Sequence, residues 1–98
     1  MNSKQRAYLK GLAMNMDPIF RLGKSAVTPE ITTAILDALK ARELIKVAVL
    51  QNCEEDPKDI ATTLAARTHS QVIQVIGKKI VLYKENPDPK KAKIQFPK

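Results

Sequence analysis

Gly23-Lys24-Ser25 is the segment whose residue types and order most directly suit a chemical task, the binding of phosphate. Glycine lets backbone amides approach an anion, lysine supplies a cation and serine supplies a hydroxyl donor. The nucleotide-binding P-loop ends in the same way, but it requires a glycine five residues before its Gly-Lys pair. Pro18 occupies that position and has no amide hydrogen. The segment therefore predicts an anion site in a turn and not a P-loop; an ordinary strand-to-helix turn is the alternative.

Cys53 and His69 could also do chemistry, but each is the only residue of its type. One cysteine excludes an intrachain disulfide, and two potential ligands do not make a zinc site. A nucleophile–base pair would need a reactive thiolate, which the acidic residues after Cys53 disfavour. We therefore expect neither an enzyme nor a metal or cofactor site, although the sequence leaves the distance between the two side chains open.

An acidic cluster follows Cys53 and consists of Glu54, Glu55, Asp56 and Asp59. Its spacing is not that of a calcium-binding loop. Asp56 precedes a proline and is better explained as a helix cap, and Asp59 is favourable in the first turn of that helix. A solvated loop is the simplest interpretation of the cluster, and a docking site for a basic protein is the other.

Charge is unevenly distributed along the chain. Its 98 residues include 17 basic and 10 acidic side chains, for a net charge of +7. Residues 1–28 and 61–98 are basic, whereas residues 29–60 are acidic. Basic ends around an acidic middle favour a positive face for a polyanion. No apolar run approaches the ~20 residues of a membrane span and no leader pattern begins the chain, so we expect a cytoplasmic protein.

The elements that must position these residues follow from helix caps and apolar periodicity. Thr28-Pro29-Glu30 begins the clearest helix, because a cap, a proline and an acidic residue precede apolar positions at i, i+3, i+4, i+7 and i+8. The predicted elements are a helix over 3–14, a strand over 19–22, a helix over 29–42, a strand over 44–50, a helix from 57 to about 69, and strands over 72–76 and 79–84. Two β-α-β units predict parallel pairing, and the turn Gly77-Lys78 predicts a type II′ hairpin.

The predicted fold class is α/β, a single compact domain in the order α-β-α-β-α-β-β with helices packed on a mixed four-stranded sheet. We expect this domain to span 1–85 and a basic, proline-containing tail to span 86–98. Ile94 and Phe96 could tether the end of the tail. Otherwise the tail is expected to serve polyanion binding rather than stability.

Three runs of the sequence occur in the same order and register as in a known family. They are Leu9-x-x-Leu12-Ala13, Pro18-Ile19-x-x-Leu22-Gly23-Lys24-Ser25-Ala26-Val27-Thr28 and Glu43-Leu44-Ile45-Lys46-Val47. Over residues 3–84 the chain resembles the CRM domain (chloroplast RNA splicing and ribosome maturation). Its length, its closing Val81-Leu82-Tyr83 and its basic tail resemble the stand-alone bacterial form, the YhbY type. The family loop is usually Gly-x-x-Gly, whereas in this chain Ala26 occupies the position of the second glycine.

The resemblance implies an RNA-binding domain that in bacteria is associated with precursors of the large ribosomal subunit. It also implies a fold similar to the C-terminal domain of the third bacterial initiation factor. Loop residues carry over as RNA contacts, and basic residues of the first helix and first strand join them. The predicted RNA-binding residues are Lys4, Arg6, Lys10, Arg21, Gly23, Lys24, Ser25 and Ala26.

We therefore predict a protein that acts in large-subunit (pre-50S) assembly by gripping the rRNA backbone, with ribosomal proteins as further partners and no membrane or small-molecule substrate. The alternative is a protein-interaction module that docks a basic ribosomal protein through residues 54–59. DNA readout by the 29–42 helix is disfavoured because its outer side is too acidic for the major groove. Base stacking on the sheet is also disfavoured, since Phe20 and Tyr83 are its only aromatic residues.

Overall fold

Seven elements follow one another in the predicted order, α-β-α-β-α-β-β, in the computed structural model, which describes residues 1–24, 27–88, 90 and 92–96. The elements are α1 (Ser3–Met14), β1 (Phe20–Leu22), α2 (Pro29–Arg42), β2 (Leu44–Val49), α3 (Pro57–Thr68), β3 (Gln71–Ile76) and β4 (Lys79–Tyr83). The predicted α/β class and mixed four-stranded sheet are confirmed. None of the described helices has the length and apolar character to span a membrane.

Each helix begins at a side chain that caps its first amides. Asn2 caps α1 in a capping box, in which its Oδ1 accepts from the amide of Gln5 at 2.8 Å. Thr28 caps α2, with its Oγ1 3.1 Å from the amide nitrogen of Ile31. Asp56 caps α3, with its Oδ1 2.9 Å from the amide nitrogen of Lys58. The predicted caps of α2 and α3 are confirmed, and they explain why both helices begin at a proline.

The strands pair in the order β1-β2-β4-β3. The first β-α-β unit forms the predicted parallel pair of β1 and β2. The second does not, because β4 lies between β2 and β3 and pairs antiparallel with both. Burial explains this correction: four of the five residues of β4 are buried, which suits a central strand, whereas β3 exposes both ends and takes the edge. In the turn between β3 and β4 Gly77 has φ 56°, as a type II′ turn requires.

The two faces of the sheet are covered by different elements. On one face α2 and α3 enclose the larger core, in which Ile35, Leu39, Leu64 and Ile80 are fully buried. Alternation along β2 places Leu44 on the opposite face, where it packs with residues of α1. That second face is the one on which the sheet is only partly covered.

The C-terminal tail packs on the α1 face of the sheet. Ile94 and Phe96 contact the smaller core, and the ring of Phe96 lies 5.9 Å from that of Tyr8 and 6.0 Å from that of Tyr83. The carboxylate of Glu43, only 1% exposed, accepts from the amides of residues 93 and 94 at 2.7 and 3.1 Å. The predicted tether is confirmed, and these contacts argue against the expectation that the tail contributes little to stability. A boundary between domain and tail at residue 85 stays a prediction.

Candidate nucleic-acid interface

The loop from β1 to α2 begins with two of the predicted contact residues. Lys24 is exposed, and the chain at Gly23 is half-buried beside Asn52. A Cβ placed on Gly23 would lie 3.6 Å from the Asn52 side chain, an ordinary van der Waals distance, so the fold does not itself require glycine there. Ser25 and Ala26, the other predicted loop contacts, lie outside the described residues.

The N-terminus of α2 offers less to an anion than its sequence suggests. Pro29 has no amide hydrogen, and the amide of Ile31 donates to the Thr28 hydroxyl. The amide of Thr32 donates to the backbone oxygen of Thr28 at 2.9 Å. Of the first four helical positions, only the amide of Glu30 donates to no other described residue, and its own side chain is acidic. Among the described residues between β1 and α2, Lys24 is the only cation.

A row of residues crosses the sheet on the α1 face in register. Arg21 pairs with Ala48, Ala48 with Lys79, and Lys79 with Ile76. Arg21 alternates with Leu22, which lies in the larger core, so its side chain lies on the opposite face. The two cations of the row are two strands apart, about 10 Å. The row contains no acidic residue and thus forms a positive band across this end of the sheet.

Lys46 extends this band along β2. It lies between Ile45 and Val47, both in the larger core, so it faces the α1 side and is half-buried there. The backbone of β2 pairs it with Val81, two residues along β4 from Lys79 of the row. We call Arg21, Lys46 and Lys79 together with Lys10 of α1 the basic face.

The three predicted contacts on α1 have different surroundings. Lys10 is exposed and lines one groove together with Lys46 and Lys79, where Leu9 and Ala13 pack α1 on the sheet. Lys4 is exposed about 9 Å earlier along the helix. Arg6 is half-buried, and its Nη1 donates to the backbone oxygens of Val72 and Ile73 at 2.8 and 3.1 Å. These carbonyls flank the irregular pairing between Val72 and Gln74, so Arg6 has a structural task that sequence reasoning did not foresee.

Two members of the basic face, Lys46 and Lys79, were not predicted as contacts. Period-two alternation could have found them, because each is a lysine between or beside buried residues of a strand. Alternation alone does not say which face of a sheet is open. That information comes from the packing of α1.

The remaining reactive residues do not assemble into a site. Cys53 and His69 lie beyond opposite ends of α3, whose 12 residues span about 18 Å. Cys53 is buried in the larger core, and His69 ends the helix in the left-handed conformation. No group of three or more potential metal ligands occurs among residues 1–24, 27–88, 90 and 92–96.

The aromatic side chains of the sheet pack within the two cores. Tyr83 is buried against Phe96, and Phe20 packs against the larger core. Burial raises the pKa of the Tyr83 phenol, and the nearby carboxylates of Glu85 and Glu43 raise it further. The basic face therefore presents cations and aliphatic side chains to a ligand, without a stacking platform like that of an RRM sheet.

Comparison with known proteins identifies relatives that match nearly the whole chain. One is the "Probable RNA-binding protein YqeI" of Bacillus subtilis, 46% identical over 94 residues that cover 96% of this chain and 98% of that protein. An "RNA-binding protein" of Haemophilus influenzae is 35% identical over 98 residues, 100% of this chain and 96% of its own. The solution structure of SAV1595 from Staphylococcus aureus, a candidate RNA-binding protein, has a TM-score of 0.77 at 44% identity and covers 97% of this chain and 99% of its own.

A family model confirms the resemblance carried by the three sequence runs. The model describes the CRS1 / YhbY (CRM) domain and matches residues 1–84. Those residues include all seven elements, the loop after β1 and every member of the basic face. The chain therefore belongs to the CRS1/YhbY (CRM) domain family.

Proposed function

We propose that this protein binds structured rRNA of large-subunit precursors through the basic face and the loop after β1, and that it acts in pre-50S assembly. The observation that carries the proposal is the register of the sheet, which aligns Arg21 and Lys79 on the face that Lys46 and Lys10 also occupy. Cations from α1 and three strands thus share one surface. The names of the relatives, all RNA-binding proteins, support the RNA partner.

Phosphate contacts supply most of the affinity in this proposal. Lysine and arginine side chains neutralise backbone phosphates and release counterions, which requires no base sequence. Lys24 extends the basic surface beyond the end of β1, where Gly23 lets an RNA backbone approach the chain closely. Binding of this kind reads the shape of a folded RNA and not a base sequence, as is common for structured RNA.

Charge reversal in the loop tests its part in this proposal. Lys24→Asp changes the local charge by two units at an exposed position, so we expect stability to change by no more than about 0.5 kcal/mol. Affinity for structured rRNA should fall at least tenfold, or about 1.4 kcal/mol. Lys58→Asp is the matched control, because it makes the same charge reversal at an exposed lysine at the start of α3, on the other side of the sheet. If Lys24→Asp binds structured rRNA as tightly as the wild type does, the loop is only a turn and does not contact the RNA.

The ribosomal target is tested in cells. A lysate is sedimented through a gradient, and the protein is located by immunoblotting before and after ribonuclease treatment. We expect it in fractions that contain large-subunit precursors and expect ribonuclease to release it. Retention on ribosomal proteins after ribonuclease, lost on replacement of the exposed Glu54 and Glu55, would support the protein-interaction alternative instead.

A further inference from the structure

A groove lies between α1 and the open part of the sheet. Its volume is about 410 Å³, within the ~300–1,000 Å³ range of sites that hold small organic groups. The floor is apolar: Val81 and Ala13 lie beneath it, and Met14 and Ile76 flank it. Met14 is 78% exposed and Ile76 is 61% exposed, which is unusual for side chains of this size. The two therefore form an apolar patch that this chain leaves uncovered.

Three lysines surround this apolar floor. Lys10 comes from α1, Lys46 from β2 and Lys79 from β4, and none of the described residues that line the groove is acidic. The groove thus combines a surface that favours a flat apolar group with cations that favour negative charge on either side of it. A nucleotide has this combination, since its base is apolar on both faces and its phosphates are anionic.

We propose that the groove binds an unpaired nucleotide of the RNA, with the base against Met14 and Ile76 and the flanking phosphates on the lysines. The inference rests on the proposed function and adds to it a preference for RNA with a single-stranded segment beside a helix. Within a duplex the base faces are stacked on one another, and a protein surface meets sugars, phosphates and base edges but not those faces. The apolar floor gains nothing from such a surface, so it distinguishes unpaired from paired RNA.

Three RNAs test the inference by fluorescence anisotropy with the full chain at one salt concentration. They are a blunt-ended duplex, the same duplex with a short single-stranded extension, and that duplex with an extension of abasic nucleotides. The abasic extension keeps the phosphates and lacks the bases. We expect the wild type to prefer the base-bearing over the abasic extension about tenfold, or about 1.4 kcal/mol.

Variants locate this preference in the groove. Met14→Gln combined with Ile76→Gln replaces two exposed apolar side chains, so the fold should persist, and the preference should disappear while affinity for the blunt duplex is kept. Leu12→Gln is the matched control, because Leu12 is also an exposed apolar residue of α1 but does not line the groove. It should keep the preference.

The outcomes separate this inference from the proposed function. Failure to bind any of the three RNAs contradicts the proposed function itself. Binding to the duplex with equal affinity for the two extensions overturns the groove inference alone, as does a preference that survives the double variant. An acidic, leucine-containing peptide is the other occupant that the charges allow. Its binding to the wild type and not to the double variant, without a base preference, would assign the groove to a protein partner.

Discussion

Glu43 joins the C-terminal tail to the body of the protein, and its replacement by glutamine should destabilise the fold. The Glu43 carboxylate is buried and accepts from two tail amides, those of residues 93 and 94, at 2.7 and 3.1 Å. Glutamine keeps the shape but replaces one acceptor oxygen by an amino group, which cannot accept. One tail amide then loses its partner.

The size of the effect follows from that lost acceptor. A donor left without a partner costs ~1–3 kcal/mol where it is buried, and both hydrogen bonds to the tail amides are part-buried. A change of ~2 kcal/mol lowers the melting temperature of a domain of this size by roughly 8–16 °C, at ~4–8 °C per kcal/mol. Thermal unfolding followed by circular dichroism measures it directly.

A double-mutant cycle shows whether the loss acts through the tail. Its second change is a chain that ends at residue 92 and so lacks both donors as well as Ile94 and Phe96. In that background Glu43→Gln should be neutral or stabilising, because the carboxylate no longer has amide partners and glutamine removes an uncompensated charge. An equal loss in the full and shortened chains would refute the reasoning, since Glu43 would then stabilise the protein by some other contact.

Three further predictions concern the loop, α1 and the sheet. Gly23→Ala should leave the melting temperature unchanged, because its Cβ has room beside Asn52, and should weaken RNA binding in a titration; unchanged binding would show that the RNA backbone stays away from Gly23. Arg6→Ala should destabilise the protein by ~1–3 kcal/mol in urea unfolding, since two backbone oxygens of β3 lose a charged donor. A variant that keeps full stability but loses RNA binding would show instead that Arg6 contacts RNA. Burial raises the pKa of Tyr83 above its value of 10.0 in an unfolded chain, so the stability due to its neutral phenol is complete below about pH 10 and is lost as pH rises through the folded pKa. Tyr83→Phe should remove this part of the alkaline loss of stability, and a pH profile of stability that the substitution leaves unaltered would contradict this prediction.

Local signals account for the parts of the fold that the sequence predicts correctly. Thr28 and Asp56 each stand before a proline and an amphipathic run, so cap, proline and periodicity agree within a few residues. The turn at Gly77 is equally local, because a positive φ suits glycine. Elements specified in this way need no knowledge of the rest of the chain.

The parts that escape prediction depend on contacts between distant residues. The place of β4 between β2 and β3 is decided by which strand can be buried on both faces. Glu43 meets its amide partners 50 and 51 residues later along the chain, and Arg6 its carbonyls 66 and 67 residues later. Lys46 lies in one of the runs that resemble the family, yet only the position of α1 shows that its face of the sheet is open.

The salt dependence of RNA affinity tests the central claim, that the basic face binds RNA phosphates. The dissociation constant for a structured large-subunit rRNA fragment is measured from about 50 to 200 mM salt for the wild type, for Lys46→Ala/Lys79→Ala and for the Lys58→Ala control. On logarithmic axes the wild type should lose affinity linearly, with a slope of about −0.7 to −0.9 per neutralised phosphate. The double variant should bind more weakly with a slope shallower by about 1.4–1.8, because two phosphate contacts are lost, and the control should match the wild type. An affinity independent of salt, or a slope that the double variant leaves unchanged, would contradict the claim.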